Sequence, residues 1–91
     1  MFLLAECLAK AAEEAGIAPM LAARLARATV AGAGELLYRS ELDAAQLRRN
    51  VTSPNGTTQA ALDVLMADDG LQPLMTKAVL AAKRRAEELS L

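Results

Sequence analysis

Histidine and tryptophan are absent from this 91-residue chain, and cysteine, phenylalanine and tyrosine occur once each. Without histidine there is no imidazole for a metal site and no histidine general base. A lone cysteine, Cys7, excludes an internal disulfide. It sits in an Ala/Leu-rich stretch, where a small buried apolar filler is its expected role. Only Lys10 stands one turn away to support a thiolate. Two aromatic rings offer no platform for stacking bases. Ten basic residues against eleven acidic ones leave a net charge of -1, so no strong field draws the chain to nucleic acid or to an anionic membrane. No run approaches about 18 uncharged apolar residues, which excludes a transmembrane helix. The apolar start, Met1 to Ala5, is interrupted by Glu6 and Lys10 too early for a signal peptide. A cytoplasmic location is therefore expected. The sequons at Asn50 and Asn55 are then chance matches.

What remains is apolar but small. The hydrophobic fraction is 54%, and 21 of those residues are alanine. Burial contributes about 25 cal/mol per Å² of apolar surface, and an Ala/Leu core buries little of it per residue. A single small domain of this kind needs support from oligomerisation. The expectation is a chain that covers its apolar helix faces with a second copy of itself.

No segment alternates with period two, and the pattern is helical throughout. A first helix is expected over about Phe2–Ala15, with Phe2, Leu4, Ala5, Leu8, Ala12 and Ala15 on its buried face, Glu6 paired to Lys10, and Gly16 beyond its end. A second runs over about Pro19–Arg39, with Leu21, Leu25, Ala28, Gly32 and Leu36 as its stripe. Ala31-Gly32-Ala33-Gly34 interrupts that helix with two glycines, each costing about 1 kcal/mol against alanine. Close helix packing offsets that cost better than a phosphate loop would, because the preceding strand and the GK[ST] ending are missing. Asp43 caps a short third helix with Ala44, Leu47 and Val51 on its apolar side and Arg48 and Arg49 near its end. A fourth helix, capped by Thr57 or Thr58, reaches about Asp68. Asp68-Asp69 is read as turn chemistry rather than a metal or acid/base pair, and Gly70 as the residue closing that helix. The fifth runs over about Gln72–Ser90 with nearly heptad spacing of its apolar residues. The fold class is all-α, a small bundle of about five helices, and no metal is expected.

Between the third and fourth helices lies the longest uncharged run, and in it Val51-Thr52-Ser53-Pro54-Asn55-Gly56-Thr57-Thr58. Pro54 fixes its own φ, while Asn55 and Gly56 tolerate positive φ. The turn can bring the N–H groups of Gly56, Thr57 and Thr58 to one side, where the helix dipole also favours an anion. Ser53 and Thr58 hydroxyls can add bonds. The competing reading is a plain turn and an ordinary threonine cap.

The run Leu47-Arg48-Arg49-Asn50-Val51-Thr52-Ser53-Pro54-Asn55-Gly56-Thr57-Thr58 resembles the C-terminal signature of pyrroline-5-carboxylate reductase, which reads Leu-(basic)-x-x-Val-Thr-Ser-Pro-Gly-Gly-Thr-Thr. The similarity extends over essentially all 91 residues: Phe2–Leu8, Thr29–Ala33 with Leu36-Leu37, and Gly70-Leu71 through Glu88-Leu89 resemble the family's helices. The resemblance implies the last step of proline synthesis, reduction of a cyclic imine by NADPH or NADH. It implies an N-terminal Rossmann domain for that cofactor and an intertwined helical homodimer, able to build larger assemblies. It implies that Ser53, Gly56, Thr57 and Thr58 bind the small carboxylate substrate, with the Thr58 hydroxyl toward the ring nitrogen. Pro54 and Asn55 shape the loop, Asn55 replacing a glycine with the residue best able to copy its positive φ. Asp43-Ala44 and Ala18-Pro19-Met20 also depart from the family pattern. No Gly-x-Gly-x-x-Gly or strand–helix alternation is present. Residues 1–91 are thus expected to be a C-terminal domain without its Rossmann partner, holding no cofactor and no catalytic residue and inactive alone. The alternative is a non-catalytic helical oligomerisation module with no ligand site.

Overall fold

The computed structural model describes residues 1–90. Among them there are five helices and no strand: α1 (Phe2–Glu14), α2 (Pro19–Arg39), α3 (Ala44–Asn50), α4 (Thr57–Leu65) and α5 (Leu71–Leu89). The all-α expectation holds. The chain forms two compact units, Met1–Leu47 and Arg48–Leu91.

In the first unit α1 packs on α2. Glycine makes the connection possible. Gly16 takes φ 106. Its N–H donates to the Glu13 carbonyl at 2.9 Å, and the Ile17 N–H donates to the Ala12 carbonyl at 3.0 Å. These two bonds are the Schellman closure, which satisfies carbonyls that the helix end leaves over. Pro19 then opens α2 at its first turn, where its missing N–H costs nothing.

The seam between α1 and α2 is not the one that leucine spacing suggests. The residues that α2 buries are Ala22 and Ala26, with 0% and 3% of their surface exposed. Val30 is half-buried one turn further on, and Ala5, Ala9 and Ala12 are half-buried on α1. Leu21, Leu25 and Leu36 lie open, as do Leu4 and Leu8, and Phe2 is 91% exposed. Alanines let two backbones approach closely, so within one chain the small residues meet and the bulky stripe faces out. Cys7 is exposed as well, against its expected role as filler. At Gly32 and Gly34 an added Cβ would meet nothing within 4 Å. Among the described residues, close packing does not account for the two glycines. Glu6 and Lys10 do not pair. Ion pairs among the described residues include Glu35–Arg39, Lys83–Glu87 at 3.5 Å and Arg85–Glu88 at 3.0 Å. All three are exposed and contribute little.

Asp43 caps α3 as expected, its Oδ1 accepting the Gln46 N–H at 2.8 Å. In the second unit α4 stops at Leu65, short of the expected Asp68. Asp68 and Asp69 fall in the turn that follows. Gly70 does not end α4. It has φ -84 and ψ -143 and is the N-cap of α5. Its N–H donates to the Ala67 carbonyl at 2.9 Å, which closes the turn between α4 and α5. Neither α4 nor α5 has a buried residue, and Leu74, Met75, Val79 and Leu80 are exposed along α5. Among the described residues no helix is long and apolar enough to cross a membrane.

Candidate anion-binding turn

The segment between α3 and α4 is shaped by short-range hydrogen bonds. Past the end of α3, the Val51 N–H donates to the Arg48 carbonyl at 3.3 Å and the Thr52 N–H to the Arg49 carbonyl at 3.1 Å. The Thr52 hydroxyl donates to the same Arg48 carbonyl at 2.6 Å. A four-residue turn follows, closed by the Gly56 N–H donating to the Ser53 carbonyl at 3.1 Å. Pro54 occupies its second position, and Asn55, at φ 60, its third. Proline pre-sets the φ its position needs, and the next requires a positive φ, which is the type II arrangement. Gly56 then adopts extended backbone, φ -89 and ψ -175, and is the N-cap of α4. A Cβ there would sit 3.3 Å from the Ser53 carbonyl oxygen, so the smallest residue closes the turn best.

Two expectations change here. Neither Thr57 nor Thr58 is the cap: they are the first two residues of α4, and no side chain caps the helix. The set of free donors also moves along the chain. The turn takes the Gly56 N–H, and the first helical bond runs from the Ala60 N–H to the Gly56 carbonyl at 3.1 Å. The N–H groups of Thr57, Thr58 and Gln59 therefore have no acceptor among the described residues. Residue types alone do not single out Gln59. It follows once Gly56 is known to be the cap, because the first three helical N–H groups are always left over. The hydroxyls of Ser53, Thr57 and Thr58 also have no hydrogen-bond partner among the described residues. Ser53 and Thr57 are exposed, while Gly56, Thr58 and Gln59 are half-buried. The expected residues thus follow one another around a single turn, shaped by Pro54 and Asn55.

Chemically this is a donor-rich place. Three amides and the positive end of the α4 dipole favour a negative group, and no carboxylate side chain lies between Asn50 and Leu62 to compete for them. Arg48 and Arg49 in the last turn of α3 add positive charge nearby in sequence. By contrast, an open groove of about 560 Å³ beside α1 and α2 is lined mainly by Phe2, Ala5, Ala9, Ala23 and Val30. Glu6 and Arg27 also line it, but it is wide open and mostly apolar, unlike the enclosed pockets that hold small ligands. Among the described residues no group of three Cys, Asp or Glu side chains could hold a metal ion.

Comparison with known proteins gives this geometry its context. Residues 1–89 match the family described as "Pyrroline-5-carboxylate reductase dimerisation". The chain belongs to the pyrroline-5-carboxylate reductase family. The reductase of Pseudomonas aeruginosa is 42% identical over 89 residues, covering 98% of this chain and 32% of that protein. The Synechocystis reductase is 41% identical over 87 residues, covering 96% of this chain and 32% of its own length. Among solved structures, a pyrroline-5-carboxylate reductase from Coxiella burnetii superimposes with a TM-score of 0.89 at 43% identity, over 97% of this chain and 32% of that one. The chain therefore spans about a third of the length of the reductases it matches, and what it matches is their dimerisation part. The family is NAD(P)H-dependent and serves proline biosynthesis. A dinucleotide fold needs strands and a glycine-rich βα turn, and the described residues hold neither.

Proposed function

We propose that this chain supplies the substrate-carboxylate loop and the dimer-forming helices of a pyrroline-5-carboxylate reductase. The observation that carries the first half is the start of α4. There the Thr57, Thr58 and Gln59 amides are left without acceptors by a turn that spends the Gly56 amide on itself. These amides would hold the carboxylate of 1-pyrroline-5-carboxylate or proline, and Ser53 and Thr57 would add hydroxyl donors. Gly56 would bring the ligand close to the backbone, and the Thr58 hydroxyl would face the ring nitrogen. NADPH or NADH would be held by a nucleotide-binding part outside these residues and would supply the hydride. A cytoplasmic location suits the role.

The second half rests on what the single chain leaves open. In the first unit Leu4, Leu8, Leu21, Leu25 and Leu36 are exposed, and in the second Leu74, Met75, Val79 and Leu80. Apolar helix faces of this kind need covering. A second copy would cover them.

The alternative, a helical module with no ligand site, treats α4 as an ordinary capped helix. The absence of a side-chain cap bond weighs against it. The two diverge at Thr58→Ala. Without a ligand site the substitution alters no ligand response. With a ligand-facing Thr58, stability stays within about 0.5 kcal/mol and L-proline binding weakens. Isothermal titration of L-proline, with prolinamide as the carboxylate-free control, reads both chains. Binding of proline but not prolinamide, weakened by the substitution, is the expected result. No heat with proline at millimolar concentration would remove the carboxylate site.

A further inference from the structure

We propose that Thr52, which contacts no ligand in this scheme, is the residue that positions the loop. The proposal rests on the carboxylate-binding reading of Thr57–Gln59. Of the four hydroxyl side chains between Val51 and Thr58, three have no partner among the described residues, and the fourth, that of Thr52, is committed. It donates to the Arg48 carbonyl at 2.6 Å, while the same residue's N–H donates to the Arg49 carbonyl at 3.1 Å. Two bonds from one residue to two successive carbonyls fix both its backbone and its side chain, and they occupy carbonyls that the end of α3 leaves over.

The anchoring matters because little else holds the segment. Ser53, Pro54 and Asn55 are exposed, whereas Thr52 is half-buried. The path from α3 to α4 is thus a relay of hydrogen bonds: Thr52 to α3, Gly56 to the Ser53 carbonyl, Ala60 to the Gly56 carbonyl. Each later bond takes its direction from the one before. Thr52 is the only member whose side chain takes part, so it is the member a substitution can remove without changing the backbone's own donors. Losing that hydroxyl frees the Ser53 end of the turn. The three amides then sample more orientations, and ordering them falls to the ligand.

The test uses the full chain, labelled with ¹⁵N, and L-proline as the probe. In the unsubstituted protein proline is expected to shift the Thr57, Thr58 and Gln59 amide signals, with the Thr52 amide protected from exchange before and after addition. Thr52→Val keeps the shape, lacks the hydroxyl, and is expected to weaken proline binding about tenfold. Thr52→Ser restores the donor and is expected to bind within about twofold of the original. Equal affinity in Thr52→Val, or a Thr52→Ser that fails as the valine variant does, overturns the positioning role while leaving the carboxylate site standing. If proline shifts none of the three amides in the unsubstituted protein, the site itself falls and the positioning role with it. Should Thr52→Val not fold, Thr52→Ala read against Thr52→Ser decides: equal proline affinity in the two overturns the proposal.

Discussion

Leu25→Glu is expected to abolish the dimer and with it most of the folded helix. Leu25 lies on the α2 stripe with Leu21, Ala28, Gly32 and Leu36, and it is 45% exposed in the single chain. Placed under a second copy, a glutamate there has no partner to offset its lost hydration. The penalty for an unpaired buried charge is several kcal/mol, and a loss of at least about 3 kcal/mol is expected. One chain alone cannot absorb it, since its own core is Ala22, Ala26 and a few half-buried neighbours. On a stripe that stays in water the same change would cost no more than about 0.5 kcal/mol, because leucine and glutamate differ little in helix propensity. Thermal unfolding followed by far-UV circular dichroism, with light scattering for mass, separates these outcomes. A Leu25→Glu chain that melts like the original would place the stripe in solvent.

Gly70→Ala is expected to cost about 3 kcal/mol, the upper end of the range for overpacking, although Gly70 has no positive φ and is not in a core. An added Cβ would overlap the Leu65 carbonyl oxygen, lying 2.7 Å from its carbon and 2.9 Å from the Ala67 carbonyl oxygen. These are backbone atoms, so no rotamer change relieves the clash. The turn between α4 and α5 has to open, and the start of α5 loses its place. Urea unfolding with a two-state fit reads the loss as a lower midpoint at unchanged slope. An unchanged midpoint would mean that the turn relaxes freely. Gly32→Ala makes a useful contrast, because nothing within the chain opposes a Cβ there.

Much of this architecture is legible from local chemistry. Asp43 ahead of Ala44, Gly16 after Glu14 and Pro19 at the start of α2 each act within a few residues, and each falls where its side chain or backbone freedom dictates. The burial pattern is not legible in the same way. Periodicity identifies the apolar faces of a helix but not which one the same chain covers. The leucines of α1 and α2 look like a core and are left open, while the alanines between them make the contact. Cys7 departs from its expected place for the same reason. At the turn, the residue types announce a donor-rich loop, and Asn55 takes the positive φ that its replacement of glycine suggests. The helix cap falls one residue before Thr57, at a glycine that caps about as well as threonine. Here the turn bond to Ser53 makes Gly56 the cap, and that shift exchanges the Gly56 amide for the Gln59 amide in the donor set.

On this reading one chain is half of a folded unit, and its apolar helix faces are covered by a second copy. Sedimentation equilibrium of the unsubstituted chain over a range of loading concentrations decides the matter. The expected result is a single species of twice the 9.6 kDa chain mass, persisting to low concentration as an obligate dimer does. A folded species of 9.6 kDa at every concentration would contradict it.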